Sequence, residues 1–143
     1  MSDFVKPIEE LIGEFDNDFK ERSAFDARVD EDLVKIVDFM QNNHVVFVYG
    51  ADKCLPCVQV HQVLEDKRIE KALKACEVTA VHVNLSNYRN EAIMEILDGR
   101  PRSVPAYSAF DNNAKTQGTL FQHKQLDVNS FLFFLKSWYS CEN

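Results

Sequence analysis

Glycine and proline are scarce, with four of each in 143 residues. That leaves no room for collagen-like or low-complexity behaviour. Long apolar runs are missing too. Val45–Tyr49 and Phe131–Leu135 are the longest candidates, far short of the roughly 18 residues a membrane span needs. The chain is therefore expected to be soluble. Basic charge is in deficit: 16 Lys and Arg stand against 23 Asp and Glu, a formal net charge of −7. Nucleic-acid binding depends on Lys and Arg meeting phosphates, and anionic membranes attract basic clusters. Neither partner is expected. The start, Met-Ser-Asp-Phe-Val-Lys, lacks the basic and apolar regions of a signal peptide. The expected compartment is cytoplasmic, or periplasmic or secreted if a leader has been removed. Four cysteines are too few for a disulfide scaffold of this length. No internal repeat is visible.

What is present suits one packed domain. Hydrophobic residues make up 45%, including 11 Phe, enough for a core and too many for a disordered chain. The negative charge is unevenly placed. Residues 1–32 carry 4 basic and 11 acidic residues, and the rest of the chain balances. Phe4, Ile8, Leu11, Ile12, Phe15 and Phe19 recur at helical spacing among these acids. The pattern predicts an amphipathic helix over 4–20, and so an acidic N-terminal helical extension, 1–21, ahead of a domain over 22–143.

A short edge strand is expected near Ala24–Val29. A helix capped by Asp30 follows, with Leu33, Ile36, Val37 and Met40 on its stripe. Val45–Tyr49 reads as a buried strand. One helix is expected from Pro56 to Ala75, a strand at Val78–Leu85 and a helix at Asn90–Leu97. Strands at Val104–Phe110 and Gly118–Lys124 form a hairpin. A last helix, capped by Asp127, buries Phe131, Phe134, Leu135 and Trp138, with Phe133 pointing elsewhere. The fold class is α/β, a mixed central sheet with helices on both faces.

Chemistry concentrates at Cys54-Leu55-Pro56-Cys57, between a buried strand and a helix. A Cys at a helix N-terminus meets free N–H groups and the positive end of the dipole. Both favour thiolate, as does neighbouring Lys53. Pro56 suits the first turn. Two intervening residues in a helical turn bring the sulfurs to disulfide distance. Cys54 reads as the exposed attacking thiol and Cys57 as the shielded resolving one. A static disulfide or a metal half-site with His61 stays open; zinc wants four ligands, and no second such motif occurs. Cys76 and Cys141 read as ordinary reduced thiols, and His44 and His123 as solvated.

At these residues the chain resembles the thioredoxin family, over roughly 22–141. The strand-turn-Cys-x-Pro-Cys-helix at Val45–Cys57, the β-α-β-β-α tail and Ser103-Val104-Pro105 carry the likeness. The resemblance implies a three-layer sandwich and thiol–disulfide exchange by Cys54 and Cys57. It implies a cis proline, Pro105, beside Val104, whose backbone pairs with an extended substrate. Leu55 and Pro56 would line the same binding rim. The implied partners are disulfide-bearing proteins and an electron donor, acting on a monomer, with no cofactor and no metal.

Departures set this chain apart from the family pattern. Lys53 stands where Trp is usual, Leu55 where Gly is usual, Val48 in place of a buried Asp, and Lys124 near the place of a Gly. His82 stands where the family carries Lys, beside Val48, as a candidate proton shuttle for Cys57. Arg100 and Arg102 read as candidate contacts for an acidic partner. The alternative function is a binding or chaperone-like module of the same fold whose dithiol is regulatory or vestigial.

Overall fold

Val45 to Tyr49 is an unbroken apolar, mostly β-branched run, and it forms the middle of the sheet. In the computed structural model, residues 3–99, 103–110, 121–122 and 127–141 are described. Among them, β1 (Val5–Pro7), β3 (Val78–Asn84), β2 (His44–Gly50), β4 (Ala106–Phe110) and β5 (Phe121–Gln122) lie side by side in that order. β1, β3 and β2 are parallel; β4 and β5 run antiparallel to their neighbours.

Side chains alternate across β2 because successive strand residues face opposite ways. Val46 and Val48 face one core, built with α3 (Leu55–Glu65), α4 (Lys67–Cys76) and α6 (Val128–Trp138). Val45, Phe47 and Tyr49 face the other, built with α1 (Glu9–Ile12), α2 (Arg22–Asn42) and α5 (Tyr88–Asp98). The result is the three-layer sandwich with helices on both faces that the sequence led us to expect.

The N-terminal segment departs from expectation. No helix spans 4–20. Val5–Pro7 instead pairs with Ala80–His82 along the edge of β3, and the α1 turn ends at Gly13, whose φ is 79°. Ile8 and Ile12 are buried in the core. Phe15 and Phe19 pack on Phe25, with ring centroids 5.4 and 4.5 Å away. Helical spacing placed these apolar residues on one side, and a strand, a turn and a loop place them on that side equally well.

The polar residues between them are also bonded in place. The Asp16 carboxylate accepts from the Asp18 N–H, and the Asn17 amide bridges to Ser86 and Tyr88. Arg89, fully buried, donates to the carbonyl of Gly13 at 2.8 Å and to the Asp32 carboxylate at 3.0 Å. Arg28 donates to Asp32 at 2.6 Å and to the Glu14 carbonyl at 2.8 Å. The two arginines thus tie residues 12–14 to α2 and α5, across the boundary that the charge pattern suggested at residue 21.

Three further expectations change. Ala24–Val29 is helical, part of α2, and Asp30 lies inside that helix rather than capping it. The expected helix from Pro56 to Ala75 is two, because Asp66 leaves helical geometry and caps α4 by accepting from Arg68 N–H. Trp138 is 38% exposed, whereas Phe131, Phe134 and Leu135 are buried and Phe133 is exposed. The hairpin at β4–β5 is present, while most of its expected second strand lies outside the described residues.

Candidate functional site

β2 carries the chain, fully buried, to Gly50, and a tight turn then releases it at one end of the sheet. The turn is held by the end of β3 and the loop after it. Asn84 donates its side-chain amide to Asp52 at 2.9 Å, and the Ser86 hydroxyl accepts from the Asp52 N–H at 2.9 Å. Asp52 is therefore a turn anchor. Lys53 follows with φ 57°, a left-handed conformation that L-residues adopt at some cost. It reverses the chain so that Cys54 arrives at the N-cap of α3.

Cys54 and Cys57 form a disulfide, with Cα atoms 5.2 Å apart. The Cys54 sulfur also accepts from the Cys57 N–H at 3.2 Å, a donor at the helix end that it shares with the Cys54 carbonyl. Leu55 and Pro56 fill the first turn, where the proline's missing N–H removes no bond. Cys54 is half-buried and Cys57 is 5% exposed, which preserves the expected order of access. A shallow cavity of about 260 Å³ opens beside the sulfurs, lined by Lys53, Cys54, Leu55, Cys57, Val58 and His61. Leu55 and Val58 give it an apolar rim, 78% and 54% exposed.

The Val104–Pro105 peptide bond is cis. It lies one residue before β4, whose Ala106 pairs with Tyr49 at the end of β2. Val104 and Pro105 are thereby carried to the same end of the sheet as the turn before Cys54. Lys124, His123, Arg100 and Arg102 lie outside the described residues.

His82 pairs with Val48 on β3 and faces the α3 side. Its ring centroid is 4.1 Å from that of His61. Burial pushes the His82 imidazole down to about 4, with His61 adding to the shift and Glu9 opposing it. Sequence reasoning placed His82 beneath the dithiol but gave His61 only a metal-ligand role. Its signal was positional: residue 61 is one helical turn after Cys57 and shares its face. Among the described residues, no group of three or more His, Cys, Asp or Glu side chains is placed to hold a metal ion.

Cys76 and Cys141 are joined by a second disulfide, so the expectation of reduced thiols is corrected. The last turn of α4 and the segment after α6 approach on the same face of the sheet. Their residues are 65 apart in sequence, and nothing in local pattern reveals that proximity.

No family model matches the chain, and no curated protein matches it by sequence. Solved structures do match in shape. The oxidised C-terminal domain of DsbD from Neisseria meningitidis superposes with a TM-score of 0.53 at 13% identity, covering 84% of this chain and 97% of its own. A mutant thioredoxin from Halobacterium salinarum gives 0.57 at 17%, covering 77% and 88%. This chain has the thioredoxin fold. A disulphide isomerase from Xylella fastidiosa, at 0.55 and 15% with 87% and 98% covered, shares it as well. In this chain the Cys54–Cys57 turn and the cis Val104–Pro105 bond lie at the same end of the sheet. No described helix is long and apolar enough to cross a membrane.

Proposed function

We propose that this chain is a protein thiol–disulfide oxidoreductase that cycles Cys54 and Cys57 between dithiol and disulfide. The observation that carries the reading is the Cys54–Cys57 disulfide at the N-terminus of α3, with its more accessible sulfur on the helix end and beside an open cavity. The helix end and Lys53 favour a Cys54 thiolate. That thiolate attacks one sulfur of a partner disulfide, forming a mixed disulfide and expelling a partner thiolate. Cys57 then loses its proton and attacks Cys54. The Cys54–partner bond breaks, the second partner thiolate leaves, and the pair ends oxidised. An electron donor returns it to the dithiol, and the chain needs no bound cofactor and works as a monomer.

The partner's extended segment lies along Val104–Pro105 and pairs with the Val104 backbone. Leu55 and Val58 offer it apolar contact, and Lys53 favours an acidic neighbour. Turnover of insulin disulfides by the reduced chain tests the reading. Cys54→Ser is expected to abolish turnover, and Cys57→Ser to hold partners as mixed disulfides on Cys54. A wild-type chain with no turnover and an unreactive Cys54 would favour a binding module instead.

A further inference from the structure

β2 ends in Gly50, a position where a side chain would fall between two functional groups. A Cβ there would lie 3.5 Å from His82 Nε2 and 3.7 Å from the Cys57 sulfur. The Cys57 sulfur and the imidazole therefore face one gap the size of a methyl group. The His82 ring touches that of His61, which is exposed and lines the cavity beside the dithiol. Sulfur, inner imidazole, outer imidazole and solvent thus follow one another in space.

Resting on the dithiol reading above, we propose that His82 and His61 form a proton path from Cys57 to solvent. His82 Nε2 takes the proton of the Cys57 thiol, directly or through one bridging water. The electron pair left on Cys57 forms the bond to the Cys54 sulfur, and the pair of the broken bond leaves on the partner thiolate. The proton on His82 moves to His61 and then to water. Two titratable groups act on His82, His61 on α3 and Glu9 on α1; Glu9 in turn lies 3.9 Å from Arg89 on α5. Burial keeps the inner ring unprotonated and also makes it a weak base, so it holds the proton only in passing. Contact with His61 disfavours retaining the charge.

The test mixes the reduced full-length chain with a small aromatic disulfide whose released thiolate absorbs visible light. A first release reports attack by Cys54, and a second reports ring closure by Cys57. In the wild type the second phase is expected to be nearly flat between about pH 6 and about pH 8. His82→Gln should slow it about 10- to 100-fold near pH 6 and make it climb roughly tenfold per pH unit. His61→Gln should give a smaller loss that added imidazole restores through the open cavity. Gly50→Ala adds a methyl at ordinary contact distance, so it folds, and it should reproduce the slow second phase. The first phase reports attack by Cys54, and each second phase is read against the first phase of the same variant. Second phases that match the wild type at every pH in His82→Gln and Gly50→Ala overturn the proton path and leave the dithiol reading standing. A wild-type chain with no first release overturns that reading and the path with it.

Discussion

His82 and Asp32 are both removed from water, and the fold treats them differently. His82 is held neutral, its pKa down from 6.5 to about 4 by burial first. The unfolded chain therefore takes up a proton at His82 that the native state refuses. Its contribution to stability is whole above about pH 6.5, is lost as pH falls toward about 4, and amounts to no more than about 3 kcal/mol. Denaturant melts of the oxidised protein at about pH 8 and about pH 5 should show this as a pH-dependent gap. The gap should shrink in His82→Gln; an identical pH dependence in the variant would refute the assignment. Asp32 instead accepts hydrogen bonds from Arg28 and Arg89. Asp32→Ala strands the buried Arg89 guanidinium and should cost about 3–5 kcal/mol in urea unfolding. A loss under about 1 kcal/mol would mean that the pair is solvated.

At the scale of elements, legibility follows how local each signal is. β2, α5 and α6 were readable because their signals lie within or beside the element, as with Asp127, which accepts from the Ser130 N–H; the Asn87 cap went unread, and α5 starts at Tyr88 rather than Asn90. The dithiol turn was readable for the same reason, since strand, Pro56 and helix start are consecutive. β1 was not. Three residues become a strand only because β3 offers an unpaired edge, which is information held some 75 residues away in the chain. The Cys76–Cys141 bond and the placing of His61 against His82 were hidden in the same way. Asn87 joins both kinds of signal. It caps α5 and donates to the Phe15 carbonyl at 2.9 Å. Asn87→Ala should therefore cost about 1 kcal/mol or more, read as a lower midpoint in thermal melts. An unchanged midpoint would show the cap to be replaced by water.

For the molecule as a whole, two ties close the chain on itself. One is the N-terminal segment, which gives the sheet an edge strand and the core Ile8 and Ile12. Removing residues 1–20 should abolish cooperative unfolding; a truncated chain that still melts in one sharp transition would show the segment to be dispensable. The other tie is Cys76–Cys141, which closes a loop over a sequence separation of 65. Cys76→Ser should lower stability by about 4 kcal/mol on loop-closure grounds, with Cys54 reactivity unchanged. A stability within about 0.5 kcal/mol of wild type would mean that the bond adds nothing.

The uneven charge also acquires a direction. Glu10, Glu14, Asp16, Asp18, Glu21, Asp26, Asp30 and Glu31 are in or beside α1 and α2, while the dithiol opens from α3 on the opposite face of the sheet. Among the described residues, the sheet thus separates a more acidic side from one on which acidic and basic side chains, Asp52 and Lys53 among them, balance. A negatively charged partner arriving by diffusion is repelled by one side only, and the torque turns the reactive face toward it before contact. Added salt shortens the reach of that field to about 10 Å at 0.1 M. That field arises mainly from α1, α2 and the segment between them, which reaches the dithiol turn through the Asn17–Ser86 contact and His82 through Glu9.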